Sequence, residues 1–280
     1  MRAMILGAGG MLGHALVRTA PERVELHPFA RAELDITDTA ALAAHVSDQK
    51  PDIILNAAAY TAVERAETET EQCYRVNAAA VGELGRVAAQ AGARVVHFST
   101  DYVFNGRASQ PYREDSPTDP VNTYGASKLA GEQALHESGA DWLVVRTQWL
   151  FGEHGKSFPK TMWERARAGL ATRVVKDQTG RPTYSRDLAA AVWRLIDRGA
   201  RGVLHVANHG QATWLEVAAH VFARAGKPDL LTACLTADYP TAARRPKYSV
   251  LDTTHLEEQL KRSLPAWPDA VDRLLECLTP

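Results

Sequence analysis

The sequence predicts an α/β protein, a doubly wound parallel sheet with helices on both faces and a smaller C-terminal lobe interwoven with it. Three observations carry this reading. Short apolar runs alternate with Ala-rich stretches of helical spacing through the first half of the chain. A glycine cluster follows the first apolar run directly. After Arg146 the alternation gives way to frequent Gly and Pro, at Gly152, Gly155, Pro159, Gly180 and Pro182.

Residues 3–6, 24–29, 52–56, 94–99 and 142–146 are the strand candidates of the first half, and 40–49 and 77–90 its clearest helices. Strands buried on both faces read as continuous apolar runs, which is the signature of a parallel sheet. Ligands of such sheets sit at the carboxyl ends of the strands, so the chemistry is expected there. In the second half, helices are predicted at 187–198, 214–225 and 268–278, a strand at 202–207 and a loop at 239–246. Residues 1–150 are thus expected to form the main domain. Residues 151–280 are expected to form mainly a substrate-binding lobe, with some segments returning to the main domain.

The bulk numbers narrow the function. A chain of 280 residues can bury one large core plus an annex. Hydrophobic residues at 45% and charged residues at 23% are ordinary for a soluble globular protein. A net charge of -1 provides no basic field for a nucleic acid backbone. Cys73, Cys234 and Cys277 are odd in number and widely spaced, which speaks against a disulfide framework or a zinc site. The apolar run at the N-terminus stops at Gly7-Ala-Gly-Gly10, too early for a signal peptide. No stretch approaches the roughly 18 apolar residues of a membrane span. A cytoplasmic protein without membrane partners is expected. His205 and His209 lie across a strand and its turn, so they are not expected to pair on a metal. Trp163 and Trp193 read as packing residues, and the charged stretch 64–71 as a solvated helix face.

Gly7, Gly10 and Gly13 join the first strand to the first helix. The first allows a tight turn, the second lets the backbone approach a pyrophosphate, and the third lets helix and sheet pack closely. The helix N-terminus beyond them favours an anion. A plain strand-helix joint is the alternative, but the place after the very first strand favours a dinucleotide. An NAD-selective site carries an acid at the end of the second strand. Here the chain reads Pro28-Phe29-Ala30-Arg31, and Arg31 could meet a 2′-phosphate. NADPH is therefore the expected cofactor, with NADH as the alternative.

Tyr124 and Lys128 are four residues apart, which places them on one face of a helix. Carbonyl reduction needs a proton donor at the new alkoxide, and a tyrosine beside a cation can serve; Lys128 would supply the charge and could also bind the nicotinamide ribose, so Tyr124 and Lys128 count among the expected cofactor contacts too. Ser99-Thr100-Asp101 ends the fourth strand, and the Thr100 hydroxyl can polarise a substrate carbonyl, with Ser99 as the alternative. Asn77 could hold a water or a backbone group near Lys128, but reads first as a structural residue.

These elements, in this order, resemble the extended short-chain dehydrogenase/reductase superfamily, whose fold is of the Rossmann type. Longer strings resemble the dTDP-4-dehydrorhamnose reductases within it. They are Asn56-Ala-Ala-Ala-Tyr-Thr-Ala-Val63 with Glu64, Ala66 and Glu67; Ser99-Thr-Asp-Tyr-Val-Phe104; Tyr124-Gly-Ala-Ser-Lys128 with Leu129-Ala-Gly-Glu132; and Arg146-Thr147 with Trp149. Phe158, Lys160-Thr-Met162, Asp177-Gln178, Gly180, Pro182-Thr183 and Arg245-Pro246 with Ser249 and Leu251 extend the match over nearly the whole chain. The resemblance implies reduction of the C4 keto group of a nucleotide-linked sugar, dTDP-4-dehydro-L-rhamnose. It implies Tyr124 as proton donor, Lys128 as its partner, and Thr100 and Asp101 as substrate contacts. Trp149 would lie against the sugar, and Arg245 would reach the nucleotide diphosphate. Gly10, Met11 and Leu12 would line the pyrophosphate, Asp35 and Ile36 the adenine, and Ala58, Ala59 and Tyr60 the floor of the cofactor.

Two positions depart from the family pattern: Gln148 stands where Ser is frequent, and Tyr248 where Asn is. Both are expected near the sugar or nucleotide, which leaves another 4-keto-deoxysugar open as substrate. Residues 11–20 hold no acid, so the magnesium site of some members is not expected. A dehydratase would place Asp-Glu after Thr100, where this chain has Asp101-Tyr102. A non-catalytic regulatory subunit is a further alternative, and a homodimer is compatible with the sequence.

Overall fold

The computed structural model describes residues 1–279. Its centre is a six-stranded parallel sheet: β1 (Arg2–Leu6), β2 (Glu25–Phe29), β3 (Ile53–Asn56), β4 (Arg94–Thr100), β5 (Asp141–Thr147) and β6 (Gly202–His205). In space the strands run in the order 2-1-3-4-5-6, and every neighbouring pair is parallel. The order reverses between β1 and β3, which is the switch point where such sheets open a crevice.

Alternation along the strands divides the core. Ala3 and Ile5 face one layer, with Leu16, Val192 and Trp193. Met4 and Leu6 face the other, with Leu42, Val81 and Leu84. The first layer is covered by α1 (Met11–Arg18) and the Ser185–Asp197 helix, and the second by α2 (Thr39–Gln49) and α3 (Ala80–Ala91). Helices on both faces explain why neither side of a strand carries the polar alternation of a one-sided sheet. The helix α4 (Thr123–Glu137) follows β4 and precedes β5. Its N-cap is Asn122, whose side chain accepts from the Gly125 N–H at 2.8 Å.

The predicted strands and helices fall where expected, with boundaries moved by at most two residues outside the 77–90 helix. The 77–90 helix differs more. Helical structure begins at Thr70, runs through a widened π-turn at Arg75–Ala79, and continues into α3. At this turn buried Asn77 accepts from the Tyr60 N–H and donates to the Tyr60 carbonyl, at 2.9 and 3.0 Å. A Cβ on Gly131 of α4 would lie 2.0 Å from the Asn77 carbonyl oxygen, so only glycine lets α4 pack here. Hydrophobic spacing does not reveal a π-turn; tertiary hydrogen bonds do.

The second half of the chain returns to the main core through the Ser185–Asp197 helix, β6 and the Thr254–Leu260 helix, and much of the remainder builds a smaller lobe. Its helices Phe158–Arg167, Trp214–Arg224 and Trp267–Leu278 pack around Phe151, Met162, Tyr184, Phe222 and Leu274. Two short strands, Thr172–Val175 and Leu231–Cys234, pair in parallel beside them. Among the described residues no helix is long and apolar enough to cross a membrane, and the three cysteines are free.

The stretch 64–71 is not simply a solvated face. Glu64 pairs with Arg245 at 2.6 Å, Glu67 accepts from the Thr123 N–H at 2.9 Å, and Glu69 accepts from the Tyr60 hydroxyl at 2.7 Å. The charges tie this segment to the Arg245 loop, to the start of α4 and to the loop that follows β3. Charge spacing along a sequence carries no record of such partners.

Candidate active site

A cavity of about 590 Å³ opens at the carboxyl ends of β1, β3 and β4, between the sheet and the smaller lobe. Gly10, Met11 and Leu12 form one wall, Ala58 and Ala59 the floor, and Thr100, Asp101, Tyr124 and Lys128 the inner wall. Gln148, Trp149, Trp214, Lys156 and Arg245 close it from the lobe side. Trp214 and Arg245 also line an adjoining hollow of about 350 Å³ with Phe158, Gln178 and Tyr239.

The glycine turn has the geometry its spacing predicts. Gly7 has φ +76, and a Cβ there would lie 2.7 Å from the Ala58 nitrogen. A Cβ on Gly13 would lie 2.2 Å from the Gly7 carbonyl oxygen. Any side chain at either position would push the turn away from the sheet. Gly10 is the N-cap of α1 and no side chain caps that helix, so its first N–H groups are left for an anion. This cradle fits a dinucleotide pyrophosphate. Gly7 and Gly13 shape the turn from behind and do not themselves line the cavity.

The cofactor residues implied at greater distance are arranged differently. Arg31 is exposed and paired with Asp35 at 3.1 Å, and neither lines the cavity. Asp35 also accepts from the N–H and hydroxyl of Thr37, which holds its carboxyl below the usual range. Ile36 is buried in the core against Leu34 and Leu42. Tyr60 does not reach the cavity, because its hydroxyl is committed to Glu69 and its backbone to Asn77.

Tyr124, Lys128 and Thr100 do converge. The Thr100 hydroxyl donates to Asp101 at 3.0 Å and lines the same cavity wall as Tyr124 and Lys128. Burial holds Tyr124 well above the usual phenol range, so it stays protonated. Lys128 is almost fully buried, and burial pulls its ammonium down to about 8. Asp101 is pushed up to about 7 by burial, and among the described residues its Oδ2 has no hydrogen-bond partner. Ser99 also lines the cavity, but its hydroxyl donates to Glu132.

Trp149 occupies the left-handed region, with φ 48. Its ring lies on Gly180, where a Cβ would be 2.5 Å away, and stacks on Trp214 at 3.6 Å. A bulky residue at positive φ is strained and survives only where the surroundings hold it. Arg245 reaches the cavity from the 239–246 loop, held by Glu64 and by the Tyr102 hydroxyl at 3.5 Å.

Of the two departures from the family pattern, Gln148 lines the cavity and fixes the Arg181 N–H at 3.0 Å. Tyr248 does not: it lies outside the cavity, packed with Phe104 and Tyr112, its hydroxyl 3.4 Å from Gln211. Tyr248 was expected beside the sugar or nucleotide, and it does not line this cavity. Trp214, Lys156 and His97 were not singled out by the sequence, and Asn56 entered only as the first residue of a family string, with no role. Each lies in a segment that reads as ordinary helix, loop or buried strand.

A parallel sheet with a glycine cradle at its switch point, and Thr, Tyr and Lys beside it, defines a dinucleotide-binding fold of the short-chain dehydrogenase/reductase type. Residues 1–279 match the family described as RmlD substrate binding domain, and the chain belongs to that family. It is 41% identical to a dTDP-4-dehydrorhamnose reductase of Burkholderia thailandensis, over 97% of each chain. It is 42% identical to a probable dTDP-4,6-dihydroxy-2-methyloxan-3-one 4-ketoreductase of Streptomyces antibioticus, over 90% of this chain and 86% of that one. The crystal structure of dTDP-4-dehydrorhamnose reductase from Bacillus anthracis in complex with NADP superposes with a TM-score of 0.95, at 36% identity and 98% coverage of each chain.

Proposed function

We propose that this protein reduces the C4 keto group of dTDP-4-dehydro-L-rhamnose to give dTDP-L-rhamnose, with NADPH as reductant and NADH as the alternative. The observation that carries the reading is the convergence of Thr100, Tyr124 and Lys128 on the wall of the switch-point cavity. The names of the Burkholderia and Bacillus relatives supply the sugar, and the NADP of the Bacillus structure supports the cofactor.

When bound, the reduced nicotinamide supplies the hydride that the carbonyl carbon accepts. The Thr100 hydroxyl polarises the carbonyl oxygen, and the Tyr124 phenol gives it a proton. Burial keeps that phenol protonated until an alkoxide forms beside it. The Lys128 ammonium, on the next turn of the same helix face, stabilises the phenolate left behind. Gly10, Met11 and Leu12 receive the pyrophosphate, and Ala58 and Ala59 support the cofactor from below. The smaller lobe holds the sugar nucleotide: Trp149 packs on the sugar, Asp101 bonds it, and Arg245 meets the diphosphate. Arg31 selects the 2′-phosphate from outside the cavity by giving up its pair with Asp35.

A second reading, reduction of another nucleotide-linked 4-keto-deoxysugar, is favoured by Gln148 in the cavity wall and by the Streptomyces relative. The test is NADPH and NADH oxidation with dTDP-4-dehydro-L-rhamnose generated in situ, with identification of the sugar formed. Rapid oxidation yielding dTDP-L-rhamnose supports the first reading. Turnover only with other 4-keto sugars supports the second. Tyr124→Phe is expected to lower kcat by about 100-fold or more with cofactor affinity nearly unchanged. Near-normal turnover in that variant, or no turnover by folded cofactor-binding protein, defeats the catalytic assignment.

A further inference from the structure

Lys128 is 1% exposed, and its one side-chain hydrogen bond among the described residues is to a second buried side chain. Its Nζ lies 3.1 Å from Nε2 of His97 on β4. The other ring nitrogen of His97 lies 3.2 Å from Nδ2 of Asn56 on β3. The Asn56 Oδ1 accepts from the Ala58 N–H at 3.2 Å, and Ala58 is part of the cavity floor. A continuous chain of polar groups therefore links the cofactor floor to the lysine through the middle of the sheet.

We propose that His97 is a positioning residue for Lys128, and that Asn56, by choosing which imidazole nitrogen carries the proton, biases the lysine between amine and ammonium. The proposal rests on the reading of Lys128 as the partner of Tyr124.

Complete burial, with Lys128 adjacent, keeps the His97 ring neutral, holding its pKa well below the usual range. A neutral imidazole has one donor and one acceptor. The Asn56 NH₂ group only donates, so Nδ1 accepts and the ring proton sits on Nε2. From there it is donated to Lys128 Nζ, which can accept only as the free amine. The ammonium demands the reverse: Nε2 accepts, Nδ1 carries the proton, and Asn56 turns its oxygen toward the ring. That turn withdraws the acceptor from the Ala58 N–H. Protonation of the lysine is thereby coupled to a backbone group under the cofactor.

The other groups around the amine are few. Glu132, one turn along α4, favours the ammonium but shares its charge with Arg146 at 2.7 Å. Cys73 approaches from the Thr70–Tyr74 helix, and burial keeps it a thiol. Tyr124 stays a phenol. Burial already brings the lysine to about 8, within reach of a modest bias from its partners.

Asn56→Asp tests this directly. A carboxylate accepts from both Ala58 and Nδ1, which fixes the proton on Nδ1 and leaves Nε2 to accept from the ammonium. The alkaline limb of the kcat profile is expected to move up by about one pH unit or more, with KM for NADPH little changed. A limb that stays in place overturns the proposal. ¹⁵N NMR of histidine-labelled wild-type protein with NADP bound gives an independent readout that needs no variant. The His97 proton is expected on Nε2 above the limb and on Nδ1 below it. A tautomer that does not change across that range overturns the coupling. A tautomer that follows the lysine while the kcat limb lies elsewhere upholds the coupling and defeats the catalytic reading of Lys128.

Discussion

Replacing Glu132 by alanine should destabilise the protein far more than an ordinary ion-pair variant. Glu132 and Arg146 have side chains only 7% and 5% exposed. The carboxylate accepts from Arg146 Nη2 at 2.7 Å and from Nε at 3.0 Å, and also from the Ser99 hydroxyl. It ties α4, which carries Tyr124 and Lys128, to β4 and β5. Removing it strands a buried guanidinium. The Glu114 carbonyl at 3.4 Å and the face of Phe104 at 5.3 Å are poor substitutes. Breaking one side of a buried pair costs about 3–5 kcal/mol. At about 2–4 °C per kcal/mol for a chain of this size, the melting temperature should fall by roughly 10 °C. Urea unfolding of the cofactor-free protein measures the cost directly. The double variant Glu132→Leu with Arg146→Met removes both charges, and should recover most of the loss. A cost below about 1 kcal/mol for Glu132→Ala, the value of an exposed pair, would refute the reasoning. So would a double variant no better than the single one.

Three other outcomes follow from the site and its surroundings. Gly180→Ala places a methyl 2.5 Å from the Trp149 ring. Overpacking of about 1–3 kcal/mol is expected, with KM for the sugar nucleotide raised about tenfold; an unchanged KM would remove Trp149 from the sugar site. Asp101 has a folded-state pKa of about 7, above its unfolded value, so its stabilising contribution is complete in acid and is lost as pH rises through about 7. Asp101→Asn should therefore raise the melting temperature of the cofactor-free protein more at pH 8 than at pH 5, and equal shifts at both would contradict the burial argument. Arg31→Ala should raise KM for NADPH about tenfold and leave KM for NADH nearly unchanged, and equal effects on both would show that Arg31 does not read the 2′-phosphate.

The parts of the site legible in the sequence are those written in local backbone geometry. Gly7 and Gly13 are required because atoms of Ala58 and of the turn itself occupy the space of a side chain. Tyr124 and Lys128 share a helix face by spacing alone. Thr100 and Asp101 are at a strand end, where a parallel sheet presents its ligands. Arg245 and Trp149 were reachable only through the family resemblance. One is an arginine in a loop, the other an aromatic after a strand, and neither has a local signature.

What the sequence determined by itself is therefore the order of elements, the layering and the cradle, because periodicity and glycine placement are constraints on neighbouring residues. Tertiary structure alone decided the rest. It turned the charged stretch 64–71 into three separate ties and placed Tyr248 outside the cavity. It bent the helix at Arg75–Ala79 around Asn77 and set His97 behind Lys128. Each of these depends on a partner at least nine residues away, and most on partners far more distant in the chain. A polar side chain makes whichever hydrogen bond the completed fold brings within reach, and nothing in its immediate sequence specifies that choice.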